Sequence, residues 1–169
     1  AAGDLRLLAY QARMAALQAQ FGELGGSIVV AETVCGGDKR RFLDELKRSG
    51  KEGVVFKDLG SPWSAGRPAS GGSAIKCKFW ATCSCVVAKV NARRSIALAM
   101  GGKPIGNVTI PPNHEIPTIG QVVEIRYLYV TDVGGSLYQP IYLGIRDDVC
   151  ADDCTREQQG IKYRGPRDI

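Results

Sequence analysis

Two short stretches decide the fold: Glu52-Gly53-Val54-Val55-Phe56-Lys57 and Ala74-Ile75-Lys76-Cys77-Lys78-Phe79-Trp80. Their β-branched and aromatic residues predict two strands. The 15 residues at 59–73 include four Gly, two Pro and four Ser, which predicts a loop between the strands. Because alternate side chains of a strand share a face, Val55 and Lys57 are predicted on one face, and Lys76 and Lys78 on one face. Two ammonium groups on one face could bind an anion between them. The alternative is that both lysines are simply solvated.

The residues before these strands predict a mixed helical and extended segment. Apolar residues at helical spacing predict a helix over 4–24, and a β-branched run predicts a strand over 27–34. A second helix is expected from its cap at Asp38 to about Ser49. The chain is therefore expected to begin with an α+β domain over residues 1–79.

The residues after Trp80 have a different character. Five strand-like runs with Gly, Pro or Asn in or near the turns predict a small β-barrel, at 81–90, 94–100, 104–110, 121–130 and 136–145. The predicted second domain is this five-stranded barrel over residues 80–149, followed by a loosely ordered polar tail over 150–169.

The charge of the chain is concentrated in one segment. The net charge of the chain is +5. Residues 39–94 contain 13 Lys and Arg but only four Asp and Glu, which suits a phosphate-containing ligand or a solvated basic face. Hydrophobic residues at 44% and charged residues at 23% argue against an intrinsically disordered chain. The sequence has no run of about 18 apolar residues and no signal pattern, so we expect a cytoplasmic protein without a membrane span.

The cysteines and the one histidine offer weaker signals. Cys83, Cys85, Cys150 and Cys154 could share a zinc ion, although neither pair has the two-residue spacing typical of zinc sites. Cys83 and Cys85 are instead expected to be small core residues of the barrel. His114 lies in a Pro-rich loop without a nearby nucleophile, so a surface position is expected.

The order of the motifs resembles that of the ATP-dependent DNA ligases. These motifs are Glu52-Gly53-Val54-Val55-Phe56-Lys57, a loop with Ser-Pro-Trp and Gly-Arg-Pro, Lys76-Cys77-Lys78, and a barrel whose last strand ends in Arg-Asp-Asp. The resemblance covers roughly residues 5–149 and implies the end of an ATP-grasp-like nucleotidyltransferase domain followed by an OB-fold domain. Such ligases charge a lysine with AMP, transfer AMP to a 5′-phosphate at a nick, and seal the nick.

The resemblance also implies roles for individual residues. In the family's fourth motif, Glu52 would help to hold Mg²⁺, Val55 would pack on adenine, and Lys57 would approach the nucleotide phosphate. In the fifth motif, Lys76 and Lys78 would contact the α-phosphate and neutralise the charge that builds up there during transfer.

The sixth motif of the family is only partly present. Arg146 and Asp148 match its Arg-x-Asp-Lys pattern, but Val149 stands where the family has lysine. This departure puts a role of the barrel in orienting pyrophosphate in doubt. Three arginines in predicted turns are candidates for contacts to the nucleic-acid backbone: Arg67, Arg93 and Arg94.

The nucleophilic lysine motif of the family, Lys-x-Asp-Gly, is absent from the sequence. We therefore expect that this chain does not adenylate itself alone and that it is a piece of a longer ligase. Its expected partners are the missing N-terminal nucleotidyltransferase segment, ATP and nicked duplex DNA, in a bacterium, phage or plasmid. The alternatives are a non-catalytic nucleic-acid-binding module derived from a ligase, and a fragment of an RNA ligase or RNA-capping nucleotidyltransferase.

Overall fold

The computed structural model describes residues 3–22, 28–66, 72–131 and 135–159, which divide into two compact units. The first unit contains the residues up to Ser49 and Gly53–Lys78. The second contains Gly50–Glu52 and the residues from Phe79 onward. None of the helices in these described residues is both long and apolar enough to cross a membrane.

The first unit consists of two helices and a two-stranded antiparallel sheet. A 3₁₀ turn at Gly36–Asp38 leads into the second helix. The elements are α1 (Tyr10–Phe21), α2 (Lys39–Arg48), β1 (Gly53–Lys57) and β2 (Ala74–Lys78). The second predicted helix and the two predicted strands are thus confirmed, although the Asp38 side chain makes no capping hydrogen bond. Helix α1 begins later than its sequence pattern indicates.

The strand predicted over 27–34 is not present in its described residues, 28–34. A strand is stable only when its backbone groups pair with a neighbour, and both described strands of this unit pair with each other. Ile28 and Val29 are correspondingly 54% and 73% exposed. The local preference of these β-branched residues is therefore not sufficient to form a strand.

The second unit is built on a five-stranded antiparallel sheet with the strand order β5-β4-β3-β6-β9. A two-stranded ribbon, β7 (Tyr129–Val130) with β8 (Leu137–Tyr138), precedes the last strand. The strands of the main sheet are β3 (Ala81–Asn91), β4 (Ser95–Met100), β5 (Lys103–Thr109), β6 (Val122–Tyr127) and β9 (Ile141–Ile145). Each of the five predicted runs corresponds to one strand of this sheet, and each of the last two also contains one strand of the separate ribbon.

Alternation along the strands produces the core of this unit. On β4, Ile96, Leu98 and Met100 are fully buried, whereas the residues between them are partly exposed. Side chains from the other strands complete the core: Cys83, Cys85, Val87, Ile105, Val108, Ile110, Val123, Ile125, Tyr127 and Tyr142.

The sheet is curved but does not close into a hydrogen-bonded barrel within the described residues. Irregularities in the β3–β4, β4–β5 and β6–β9 ladders bend it, and β5 and β9 remain as its two edges. At Gly106, the backbone that approaches β5 is that of Leu137 in the short ribbon, 4.0 Å from where a Cβ would lie. An OB-fold is in general only partly closed, so the predicted class stands while the closed barrel does not.

The first part of the predicted polar tail is ordered against this sheet. Residues 151–153 and 156–158 form two 3₁₀ turns, and Cys154 is only 1% exposed. The Gly101 amide donates to the Cys154 carbonyl at 2.8 Å, and the Ser84 amide donates to Gln158 Oε1 at 3.2 Å. The prediction of a loose tail is therefore wrong up to Gln159, because backbone hydrogen bonds tie this segment to the strands.

Candidate functional site

Four of the predicted site residues share one face of the β1–β2 hairpin. The strands pair with Gly53 opposite Lys78, Val55 opposite Lys76, and Lys57 opposite Ala74. Directly opposite residues of an antiparallel pair project from the same side of the sheet. We call the side that carries Val55, Lys57, Lys76 and Lys78 the lysine face.

Gly53 makes this pairing possible. A Cβ built on Gly53 would collide with the Cys77 carbonyl and would lie 2.9 Å from the Lys78 Cα. The glycine therefore admits the neighbouring strand itself, rather than a ligand, at the point where β1 begins. The adjacent Glu52 has an exposed side chain, and its carbonyl accepts a hydrogen bond from the Phe79 amide at 2.9 Å.

Lys57 is oriented by an aromatic ring. Its Nζ lies 4.7 Å from the ring centre of Tyr10, the first residue of α1, at a distance typical of a cation–π contact. Both residues line an open cavity of about 250 Å³, together with Arg13 and Trp63. Pockets that hold a whole small ligand generally measure about 300–1,000 Å³, so this cavity can hold only part of a nucleotide.

Hydrogen bonds tie the loop that follows β1 to the segment around α1. The Gln11 amide donates to Leu59 O at 3.0 Å, and the Trp63 amide donates to Arg6 O at 2.8 Å. Arg13 Nη1 donates to Ser61 O at 3.2 Å. Sequence reasoning missed Tyr10, because no local pattern links it to a lysine so far along the chain.

Arg146 is held by two carboxylates of the second unit. Its Nε and Nη2 donate to the two oxygens of Asp148 at 2.7 Å each, and its Nη1 donates to Glu124 Oε2 at 3.0 Å. The Asp148 hydrogen bonds raise the pKa of Arg146, and those same bonds lower the pKa of Asp148. Ser84 Oγ also donates to Glu124 at 2.8 Å, so this guanidinium belongs to a polar network on the sheet.

The arginines predicted to contact nucleic acid have different environments. Arg93 is exposed at the β3–β4 turn, whereas the adjacent Arg94 is partly buried and donates to main-chain carbonyls of residues 110–114. Arg67 lies outside the described residues.

The described residues contain no group of three His, Cys, Asp or Glu side chains that could hold a metal ion. Cys83 and Cys85 are core residues with their sulfurs 3.6 Å apart, and Cys150 is exposed. Mg²⁺ usually takes only one or two carboxylates and completes its shell with phosphate oxygens and water. The single exposed carboxylate of Glu52 fits that mode of binding, and it does not fit a site built from protein ligands alone.

Comparisons with known proteins identify the fold. Family models and curated protein sequences yield no match. Among solved structures, a Lig E DNA ligase described by its DNA binding with a minimal scaffold matches with a TM-score of 0.65 and 16% identity, over 82% of this chain and 59% of that chain. A structure named Pmar-Lig Pre matches with a TM-score of 0.57 and 19% identity, over 80% of this chain and 38% of that chain.

These matches place the chain in a structural class. Its fold is that of ATP-dependent DNA ligases, and the predicted resemblance in fold is confirmed. The chain spans 59% of the Lig E ligase it matches, which is less than two thirds of that protein.

Proposed function

We propose that this chain is the C-terminal part of an ATP-dependent DNA ligase that seals nicks through lysyl-AMP and DNA-adenylate intermediates. The observation that carries the proposal is the lysine face, where three lysines and one exposed apolar side chain occupy one side of a two-stranded sheet. Such a concentration of positive charge favours the binding of an anion, and a nucleotide supplies both phosphates and an apolar base.

The roles that we propose are those that the resemblance to ATP-dependent DNA ligases implies, and the lysine face supports them by bringing the three lysines and Val55 to one side of the sheet. Val55, which is 49% exposed on the lysine face, packs on the adenine. Lys57 approaches the nucleotide phosphates, and Lys76 and Lys78 stabilise the charge that develops on the α-phosphate during transfer. Glu52 holds Mg²⁺, which when bound supplies further positive charge at the phosphates.

The proposed reaction has three steps, and the nucleophilic lysine comes from a segment outside this sequence. That lysine attacks the α-phosphorus of ATP and releases pyrophosphate. The 5′-phosphate at the nick then attacks the same phosphorus and releases the lysine. Finally, the 3′-hydroxyl attacks the 5′-phosphate, AMP leaves, and the phosphodiester forms.

The test uses a longer, joined protein in which the segment encoded upstream of Ala1 precedes this chain. We expect that segment to contain an in-frame Lys-x-Asp-Gly. Adenylation by labelled ATP and sealing of a nicked duplex are measured for the joined protein. We expect Lys76→Ala, Lys78→Ala and Glu52→Ala each to lower nucleotidyl transfer about 10²–10³-fold, the loss typical of removing one group that stabilises transition-state charge. Lys47→Ala removes an exposed lysine of α2 and serves as the charge-matched control.

Two results would contradict the proposal. One is a rate equal to wild type in both Lys76→Ala and Lys78→Ala, with the fold intact by circular dichroism. The other is a covalent AMP adduct on this chain alone after incubation with ATP and Mg²⁺, detected by mass spectrometry, because the chain lacks the lysine motif.

A second candidate function is a non-catalytic nucleic-acid-binding module built on a ligase fold. The observation that favours it is Arg146, whose guanidinium is already bound by Glu124 and Asp148 and is followed by Val149 rather than lysine. A start codon at the boundary of Ala1, with no nick sealing but retained binding of duplex DNA, would favour this candidate.

A further inference from the structure

Two turns flank strand β4, and their residues adopt the same left-handed backbone conformation. In the turn before β4, Arg93 and Arg94 have φ of 54° and 52°. In the turn after β4, Gly101 and Gly102 have φ of 52° and 70°. Glycine adopts this conformation without steric cost, whereas a residue with a Cβ is strained in it.

The glycine turn shows what the backbone alone requires. A Cβ at Gly101 or Gly102 would meet no atom within 4 Å, so close packing does not require glycine at these positions. Their positive φ angles do favour glycine. The first turn has the same need for left-handed residues but contains two arginines. Strain that glycine would relieve points to a use for the arginine side chains.

The side chain of Arg94 has a visible role within the chain. Its Nη2 donates to Pro111 O at 3.0 Å and also to His114 O, and its Nε donates to Ile110 O at 3.4 Å. The main chain completes the connection, because the Ile110 amide donates to Arg94 O at 2.7 Å. Arg94 thus ties the turn to the segment after β5 and holds the strained conformation in place.

The side chain of Arg93 has no such role. It is exposed and makes no hydrogen bond or ion pair with any described residue. Residues 81–114 contain four Lys and Arg and not one Asp or Glu, so the turn and the two strands that it joins carry a net positive charge. An exposed guanidinium in such surroundings suits a phosphate, to which it can donate two hydrogen bonds.

We propose that Arg93 contacts a phosphate of the DNA backbone and that Arg94 is a positioning residue that holds Arg93 in its left-handed conformation. This inference rests on the proposed function, since it takes nicked duplex DNA as the ligand. Two adjacent arginines that look equivalent in the sequence thus have different roles: one contacts the ligand and the other positions the first.

The first test measures how binding of a labelled nicked duplex to the full chain depends on salt, by fluorescence anisotropy. Each phosphate contact contributes about 0.9 to the slope of log K against log salt, so Arg93→Ala is expected to lower the slope by about that amount. Arg93→Lys is expected to keep the slope, because it keeps the charge. Lys47→Ala removes one exposed charge of α2 and is expected to leave the slope unchanged.

A second variant at position 93 tests whether the left-handed backbone conformation is strained. Arg93→Gly is expected to weaken DNA binding as Arg93→Ala does, and also to raise Tm by about 2–4 °C, because glycine relieves the left-handed strain. A gain in stability joined to a loss in binding distinguishes a residue kept for its ligand from one kept for the fold.

The positioning role of Arg94 is tested by a double-mutant cycle on the same slope. In the Arg94→Ala background, Arg93→Ala is expected to change the slope by much less than 0.9. A purely structural role for Arg94 would leave the contribution of Arg93 intact. If Arg94→Ala does not fold, Arg94→Lys takes its place in the double-mutant cycle. The Arg93 variants alone then test whether Arg93 contacts a phosphate.

The outcomes separate this inference from the proposed function. DNA binding with an unchanged slope in Arg93→Ala overturns the Arg93 contact, whether or not the joined ligase loses activity in Lys76→Ala. Equal effects of Arg93→Ala in both backgrounds overturn the positioning role. If the wild-type chain fails to bind the duplex at about 50 mM salt, the contact is refuted, while the adenylation assay still decides the nucleotide site.

Discussion

The two units of this chain differ in how much of their apolar surface they bury. In the second unit, Ile96, Leu98 and Met100 are completely buried, and their neighbours on every strand of the sheet add to the same core. In the first unit, none of the described residues is buried, and Phe56 and Ile75 of its small sheet are 41% and 46% exposed. The lysine face therefore lies on the less well packed unit.

This difference favours the proposal that the chain works as part of a longer protein. A two-stranded sheet is at best marginally stable alone and needs a further strand or a packed helix to gain stability. The first unit leaves apolar side chains exposed that such elements could cover: Leu7, Leu17, Ile28, Val29, Phe56 and Ile75. The missing N-terminal segment that we propose would cover some of them.

The largest effect is expected from removing a core side chain of the second unit. Leu98→Ala should lower the free energy of unfolding by about 2–5 kcal/mol, because it leaves a cavity among fully buried neighbours. Val55→Ala in the first unit should change it by less than about 0.5 kcal/mol, because that side chain is half exposed. Urea unfolding followed by circular dichroism measures both, and equal effects would contradict the comparison.

The next effect concerns the hairpin that carries the lysine face. Gly53→Ala places a Cβ against the backbone of Cys77 and Lys78 and should destabilise the β1–β2 pairing by about 1–3 kcal/mol. Gly144→Ala is the control, because a Cβ there meets nothing within 4 Å. Hydrogen exchange should show lost protection in β1 and β2 for Gly53→Ala and unchanged protection in β3 and β6. Protected β1 and β2 amides in that variant would refute the steric argument.

Local patterns in the sequence were sufficient for features that depend on one segment. The strand-like run at 94–100 predicted β4, and the spacing of Lys76 and Lys78 predicted that they share a face. Val55 and Lys57 project from this same face because of the register between two strands that are joined by the 16 residues 58–73. Spacing within one strand cannot determine that register.

Features that depend on distant partners could not be predicted in this way. The β-branched run at 28–34 lacks a neighbouring strand, and strand preference without pairing does not suffice. Arg94 looks like Arg93 in the sequence, but its carbonyl partners come from the far side of β5. The order of residues 151–159 likewise depends on hydrogen bonds to Ser84 and Gly101.

A smaller effect, on reactivity rather than stability, is expected at the cysteines. Cys35 of the first unit and Cys150 are exposed and should react readily with N-ethylmaleimide at pH 7.5. The hydrogen bond to Cys83 and burial raise the pKa of Cys85, and burial raises the pKa of Cys154, so little reactive thiolate forms at either. Both should react more than about tenfold more slowly until the chain is unfolded in urea.

Mass spectrometry of timed samples measures this difference residue by residue. Labelling in urea is the control that all six cysteines are chemically competent. Rapid labelling of Cys85 in the native chain would show that the core of the second unit opens far more easily than its packing indicates.

The smallest effect compares two similar ion pairs, one in each unit. Asp148 and Asp4 each accept hydrogen bonds from an arginine two residues away, Arg146 and Arg6, and these bonds lower the pKa of both carboxyl groups. A carboxyl whose pKa is lowered in the folded state stabilises that state above its unfolded pKa of about 3.9, and this stabilisation is lost as the pH falls through the folded value. Asp148→Asn should therefore lower the Tm of the second unit by about 1–2 °C at pH 7, and this difference should disappear as the pH falls through the lowered pKa of Asp148 in the folded chain. Asp4→Asn should not move this transition at any pH, because its pair belongs to the unit without a buried core. Calorimetric scans across pH measure both variants, and equal shifts would show that the two units unfold as one.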